Sequence, residues 1–270
     1  MQIGFTSSTF NQIKQPEAII SILNNAEEYC FGKKTPDNNS GPSHQFVIEW
    51  NEKAHVKTLN DAQSIMLLCC KNNIEVCSFG SYYRVGSKDS RHWHNVCEKA
   101  SVTGAKSVRV WLGKCDSQKT DKDTYNELLE DAENMCVIAD DYGLKISAEC
   151  HRNTFNNDTD AILRFMSDLD NSVFYTYFQS IYKDIDTDLD RIERTFDKTA
   201  NVHISFAESR REQFPKFKRD YADILIEKYK NMDFSGALLL EYSYFYSLFG
   251  IQRSFNKDMK NLCIKAGIIK

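Results

Sequence analysis

Residues 123–149, DTYNELLEDAENMCVIADDYGLKISAE, decide the fold. Leu128, Leu129, Ala132, Met135, Cys136 and Ala139 recur at the spacing of one helix face, so 123–141 reads as an amphipathic helix. Gly143 supplies the residue that ends it. Leu144 to Glu149 follows as a short strand whose apolar residues run directly into a carboxylate.

The same unit recurs on both sides of this stretch. Upstream, Ile3 to Thr6, Phe46 to Trp50, Ile74 to Phe79 and Ser107 to Leu112 read as strands one to four. The helices between them cover about Glu17 to Cys30, with Pro16 at the first helical position, then Asp61 to Lys71 capped by Asn60 or Asp61, then His92 to Ser101 closed by Gly104. Downstream, Val173 to Phe178, Val202 to Phe206 and Ala237 to Glu241 read as strands six to eight. Helices follow from Asp158, over Leu189 to Phe196, over Tyr221 to Tyr229 with Ile224, Leu225 and Ile226 inward, and over Asn256 to Ala266. Strand starts recur at intervals suited to a βα unit of roughly 30 or more residues. Such alternation implies a parallel sheet. An open doubly wound sheet is the rival, but neither G-x-G-x-x-G nor G-x-x-x-x-G-K-[ST] occurs. Eight strands favour closure, so the expected architecture is a (β/α)8 TIM barrel, with one domain over residues 1–270.

Composition narrows the function classes. The net charge is −4, with 27% charged and 41% hydrophobic residues. That is the balance of an ordinary soluble protein, and it argues against a nucleic-acid partner, which calls for a basic face. The nine cysteines form no C-x-x-C pair, so neither a zinc ribbon nor a redox motif is expected. The start, MQIGFTSSTF, shows no basic stretch followed by an apolar one, and the longest apolar run, near Ile65 to Cys70, is too short to span a bilayer. Free thiols in a reducing cytoplasm, with no membrane partner, are the expectation.

In a barrel of this kind the chemistry sits where strands end. Strand five delivers Glu149, with His151 two residues on, and strand six delivers Gln179. Strand seven carries His203, and Leu238, Leu239 and Leu240 run straight into Glu241. A carboxylate emerging from apolar core is costly unless ionised against a cation or hydrogen-bonded. Glu149 and Glu241 face each other across a narrow mouth and repel, unless a divalent cation lies between them. Carboxylate, imidazole and amide-oxygen donors suit Mn²⁺, Mg²⁺, Co²⁺ or Zn²⁺. Arg109 and Trp111 share a face of strand four as candidates for binding a hydroxyl or carboxylate and for walling the pocket. Tyr82, Tyr83 and Arg84 follow strand three toward the mouth. Arg210 and Arg211 follow strand seven and could meet a phosphate or carboxylate. Glu49 ends strand two and could orient His203 or His151. His92 and His94 read as surface; His44 and His55 flank strand two.

At these strand ends the sequence resembles the xylose isomerase-like barrels, specifically the sugar phosphate isomerase/epimerase group. The resemblance rests on FVIEW around Glu49, CSFGSYYRVG (77–86), GAKSVRVWLG (104–113), YGLKISAECHRNT (142–154), YTYFQS (175–180), NVHISF (201–206) and LLLEYS (238–243), in that order. It implies a divalent metal, Mn²⁺ first among the candidates, held by Glu149, Gln179, His203 and Glu241. The family pattern has Asp where Gln179 stands, so the donor here is neutral and metal affinity is expected to drop. The resemblance further implies a metal-dependent isomerase or epimerase of a sugar or sugar phosphate, with Glu149 and Glu241 moving the proton through an enediolate. His151, Arg109, Trp111, Tyr83 and Arg210 would bind the small carbohydrate substrate, and a homo-oligomer is compatible with this reading. Three alternatives share the fold. A cyclitol dehydratase-type lyase would use the same site. A non-catalytic ligand-binding barrel is favoured by Gln179. A repair endonuclease with three zinc ions would need more ligands than these strand ends offer.

Overall fold

A computed structural model describes residues 1–32, 46–181, 184–206, 217–241 and 248–270. Eight parallel strands close into one barrel in sequence order: β1 (Gln2–Thr6), β2 (Phe46–Asn51), β3 (Glu75–Val85), β4 (Ser107–Leu112), β5 (Lys145–Glu149), β6 (Phe174–Phe178), β7 (Thr199–Ile204) and β8 (Ala237–Leu240). The seam closes because β1 pairs on both sides, Ile3 with Phe46 of β2 and with Leu238 of β8. The expected (β/α)8 barrel is what the chain forms.

The helices are α1 (Pro16–Phe31), the short α2 (Glu52–His55), α3 (Leu59–Asn72), α4 (Ser90–Thr103), α5 (Lys122–Asp141), α6 (Thr159–Leu169), α7 (Ile185–Thr195), α8 (Phe217–Asn231) and α9 (Leu248–Ala266). Aspartates Asp89, Asp121, Asp158 and Asp184 cap α4, α5, α6 and α7, each accepting from the backbone N–H three residues on. At α3 the cap is Thr58 rather than Asn60 or Asp61. Asp61 instead closes a reciprocal capping box with Thr58, which starts the helix a residue or two early.

Other boundaries also moved. β3 continues past Phe79 to Val85, because Arg84 and Val85 pair with Trp111 and Leu112 of β4. β7 runs from Thr199 to Ile204, so Phe206 lies beyond it. Helices α7 and α9 begin well before Leu189 and Asn256. Ile224, expected inward with Leu225 and Ile226, is 41% exposed, while those two are buried.

Successive side chains of a strand point to opposite faces, and here the two parities carry different chemistry. Ile48, Val108, Val110, Ile146, Ala148, Phe174, Phe178, Val202, Ile204, Leu238 and Leu240 join the main core between barrel and helices. The opposite parity faces the barrel axis. Its lower layer is a small separate cluster of Val47, Cys77, Tyr177, Ala237 and Leu239. Above it the axial positions turn polar, and that is where the strand-end candidates stand. Among the described residues, no helix is long and apolar enough to cross a membrane.

His55 closes the join between β2 and the turn after β1. Asn51 N–H donates to Ser7 Oγ at 2.8 Å, Ser7 Oγ meets His55 Nδ1 at 3.0 Å, and His55 Nε2 meets the Ile13 carbonyl at 2.9 Å. The relay is complete with a neutral ring, its proton on Nε2. Burial pushes the ring below its ordinary 6.5, against the pull of the Ile13 carbonyl. The folded state therefore binds this proton less readily than the unfolded chain, and the stability present above pH 6.5 is lost as the pH falls. Thermal melts between pH 7.5 and 5 should show His55→Gln with less pH dependence than the wild type; identical slopes would rule the relay out as a contributor.

Candidate active site

The site is built from axial positions of strands β2 to β7. Glu49 of β2 is fully buried, and Arg109 of β4, Glu149 of β5 and His203 of β7 are nearly so. Arg109 lies between the two carboxylates, with Nη1 2.5 Å from Glu149 Oε2 and Nε 3.3 Å from Glu49 Oε1. Space for this pair comes from Gly80 of β3. A Cβ there would stand 2.9 Å from Arg109 Nη2 and 3.0 Å from Glu49 Oε1.

Glu149 is divided by its partners. Its Oε2 accepts from Arg109 and from Trp111 Nε1, each at 2.5 Å. Its Oε1 lies 3.2 Å from His203 Nδ1. The same nitrogen is 3.0 Å from Glu241 Oε2. The far ring nitrogen, His203 Nε2, faces Glu49 Oε1 at 3.5 Å, and Tyr177 O–H donates to Glu49 Oε2 at 3.1 Å. Glu241 follows β8 and is the open member of the set, with its side chain 26% exposed. With its amide nitrogen turned inward, Gln179 donates to Glu149 Oε1 at 2.7 Å and to Glu241 Oε2 at 3.3 Å.

Electrostatics follow from this packing. Burial alone would raise the Glu149 carboxyl, but Arg109 and His203, with the Trp111 N–H, hold it at about 2. Glu49 is buried too, and Arg109 and His203 hold it well below the usual carboxylate range. Burial would lower the His203 ring, yet Glu241, Glu149 and Glu49 raise it well above 6.5.

Glu149, His203 and Glu241 offer three ligand atoms within 4.8 Å of one another. The donor set fits a divalent cation. A carboxylate on the far side of an imidazole, as Glu49 is to His203, fixes the ring and leaves the other nitrogen as the ligand. Charge agrees as well. With His203 neutral, one guanidinium and one divalent ion would balance the three carboxylates Glu49, Glu149 and Glu241. Gln179 adds no fourth negative charge, and its Oε1 would serve as a donor with the amide turned the other way.

The remaining candidates separate. Trp111 stacks on His151, with ring centroids 5.1 Å apart at 29°, and meets the Tyr82 ring edge-on at 5.5 Å. The Arg84 guanidinium lies 4.3 Å from the Trp111 ring. These four form one wall beside Glu149. Arg109 is not open to the mouth: it is 4% exposed and paired with two carboxylates, Glu49 and Glu149. Tyr83 has the wrong parity for the mouth. It is buried against Trp93 of α4 and donates to the Asp89 carbonyl, and Tyr82 takes the place expected of it. His92 and His94 are exposed. His44, Arg210 and Arg211 lie outside the described residues. Tyr177 was not anticipated; the signal was available, since it stands two residues before Gln179 on the axial parity of β6.

Removing Arg109 takes away the one guanidinium that both buried carboxylates share. Arg109→Met should cost about 3–5 kcal/mol in urea unfolding, and Arg109→Lys should recover only part of that, because an ammonium cannot span both carboxylates as a guanidinium does. A loss under about 1 kcal/mol for Arg109→Met would mean the pair is weaker than its burial implies.

No family model matches the chain, and no curated protein matches its sequence. Solved structures do. A probable 3-DHS dehydratase, AsbF, from Bacillus anthracis superposes with a TM-score of 0.70 at 13% identity, over 97% of this chain and 98% of that one. A D-psicose 3-epimerase from Clostridium cellulolyticum gives 0.69 at 11% identity, over 100% and 99%. A xylose isomerase domain containing protein from Salmonella typhimurium gives 0.68 at 11%, over 97% of each chain. The chain thus has, end to end, the fold of the xylose isomerase-like barrels.

Proposed function

We propose that the chain is a metal-dependent isomerase or epimerase of a small carbohydrate, working by proton transfer through an enediolate. The observation that carries this reading is the convergence of Glu149, His203 and Glu241 within 4.8 Å at the strand ends. The fold shared with a D-psicose 3-epimerase supports it.

In this reading Glu149, Gln179, His203 and Glu241 hold the ion, Mn²⁺ before Mg²⁺, Co²⁺ or Zn²⁺. A bound divalent ion supplies Lewis-acid polarisation of a carbonyl and its neighbouring hydroxyl. Glu241, the more accessible carboxylate, takes a proton from the carbon beside that carbonyl. Glu149, fixed through Oε2 by Arg109 and Trp111, presents Oε1 to the other side. His203 is held in register by Glu49, and Glu49 by Tyr177. Trp111, His151 and Tyr82 wall the substrate and exclude water from one side.

Shared fold with a probable dehydratase favours a second reading, a lyase acting on a cyclitol-like substrate from the same site. Mass spectrometry of the product separates the two. An isomer keeps the substrate's mass, and a dehydratase product is lighter by one water.

Metal binding is the first test. Mn²⁺ at about a hundredfold excess over its Kd should stabilise the fold by about 2.7 kcal/mol, read as a rise in melting temperature. The double variant Glu149→Gln with Glu241→Gln should abolish that rise. No Mn²⁺ or Co²⁺ shift in the wild type would defeat the metal-dependent reading and leave a non-catalytic binding barrel. Gln179→Asp supplies a second check. Titration calorimetry should show tighter Mn²⁺ binding, by about tenfold or more, because a charged donor replaces a neutral one.

A further inference from the structure

Helices α1 and α9 flank the seam where β1 meets β8, and they run side by side in parallel. Their register can be followed turn by turn. Gln252 Nε2 donates to the Ile22 carbonyl at 3.1 Å. One turn on, Asn256 Nδ2 donates to Asn25 Oδ1 at 2.8 Å. One turn further, Lys260 Nζ lies over the Tyr29 ring, 5.3 Å from its centroid. On the same stretch of the two helices stand Cys263, buried in the main core, and Cys30, packed against that core beside Tyr29. Both are free thiols.

We propose that Cys30 and Cys263 are a disulfide-forming pair, through which a low-molecular-weight disulfide such as oxidised glutathione cross-links the first and last helices of the barrel. The two cysteines are suited to unequal roles. Cys30 is half-buried and reachable from solvent, whereas Cys263 is fully buried. The Cys263 S–H and the Lys260 ammonium favour the Cys30 thiolate and outweigh its burial and Glu27. Contact with Cys30 and burial push the Cys263 thiol up, so it holds its proton until Cys30 has reacted. Five other cysteines are poor nucleophiles by comparison. Burial raises Cys69 and Cys150 to about 11, Cys97 and Cys136 to about 12, and Cys77 further still.

The exchange balances in two steps. The Cys30 thiolate attacks one sulfur of glutathione disulfide, forming a mixed disulfide and expelling one glutathione thiolate. Cys263 Sγ then attacks Cys30 Sγ, expels the second glutathione and loses its proton to water. Two protein thiols are oxidised and one disulfide is reduced to two thiols. The cross-link closes nearly the whole chain into one loop, which constrains the unfolded state more than the folded one.

Folded protein incubated with oxidised glutathione, then alkylated and digested, tests this directly. The expected result is a peptide pair linked through Cys30 and Cys263, and a rise in melting temperature of roughly 5–10 °C that dithiothreitol reverses. Cys30→Ser, at the half-exposed position, should remove both the linked peptide and the rise. Cys263→Ala should convert the product to a Cys30–glutathione mixed disulfide without the rise. The proposal is overturned if wild-type Cys30 accumulates only as the mixed disulfide, if both thiols survive, or if the rise persists in Cys30→Ser.

Discussion

The guanidinium of Arg109, buried between Glu49 and Glu149 on the barrel axis, is the interaction on which the site depends. Three charged groups in a dry interior are tolerable only as a set, because each carboxylate would otherwise face an uncompensated desolvation cost. Arginine suits this place better than lysine: its planar fork reaches two carboxylates at once, with Nε toward one and Nη1 toward the other. Gly80 makes the room by presenting no Cβ to the pair. From this clamp the rest of the geometry follows. Glu149 Oε2 is taken up by Arg109 and Trp111, so Oε1 alone faces the mouth. Glu49, held by Arg109 and Tyr177, faces the far nitrogen of His203 and thereby turns Nδ1 toward Glu149 and Glu241.

This clamp also makes physical sense of Gln179. Three carboxylates and one guanidinium leave an excess of two negative charges when His203 is neutral, which one divalent cation would cancel. A fourth carboxylate would leave the centre negative. An amide is the donor that does not disturb the balance, and it has a further property. Its nitrogen side donates to Glu149 and Glu241, relieving their repulsion, and its oxygen side offers a lone pair to a cation. One rotation of the side chain exchanges these roles, so the residue suits both the metal-free and the metal-bound states of the proposed centre.

Much of the fold was legible because helix and strand periods alternate so regularly, and because the axial carboxylates interrupt apolar runs. What was not legible has identifiable causes. The third strand was expected to end at Phe79, yet β3 continues to Val85, since β4 offers Trp111 and Leu112 as partners for its extension. The helix expected from Leu189 begins at Ile185, because acidic residues in a first turn favour a helix start. Arg109 was expected to bind a hydroxyl or carboxylate, and the carboxylates it meets are the chain's own. Its commitment to Glu49 depends on two strands that the sequence places far apart. Pairing across the barrel is a tertiary fact, and no local pattern encodes it.

Parity is the thread joining these cases. Tyr82 and Tyr83 are adjacent and chemically alike, yet one stands against Trp111 at the site and the other packs on Trp93 of α4. The difference is a single step along a strand, which sends neighbouring side chains to opposite faces. The same step separates Ala148 in the outer core from Glu149 at the mouth, and Phe178 from Gln179. That explains how identity as low as 11–14% among similar barrels leaves the architecture intact. Closure needs apolar residues on the outer parity and tolerates almost any exchange among them. The inner parity is free of that demand above the lowest layer, and there a chain can install charges of its own. Function in such a barrel resides in which axial residues are polar and how they pair, and in this chain the pairing begins with Arg109.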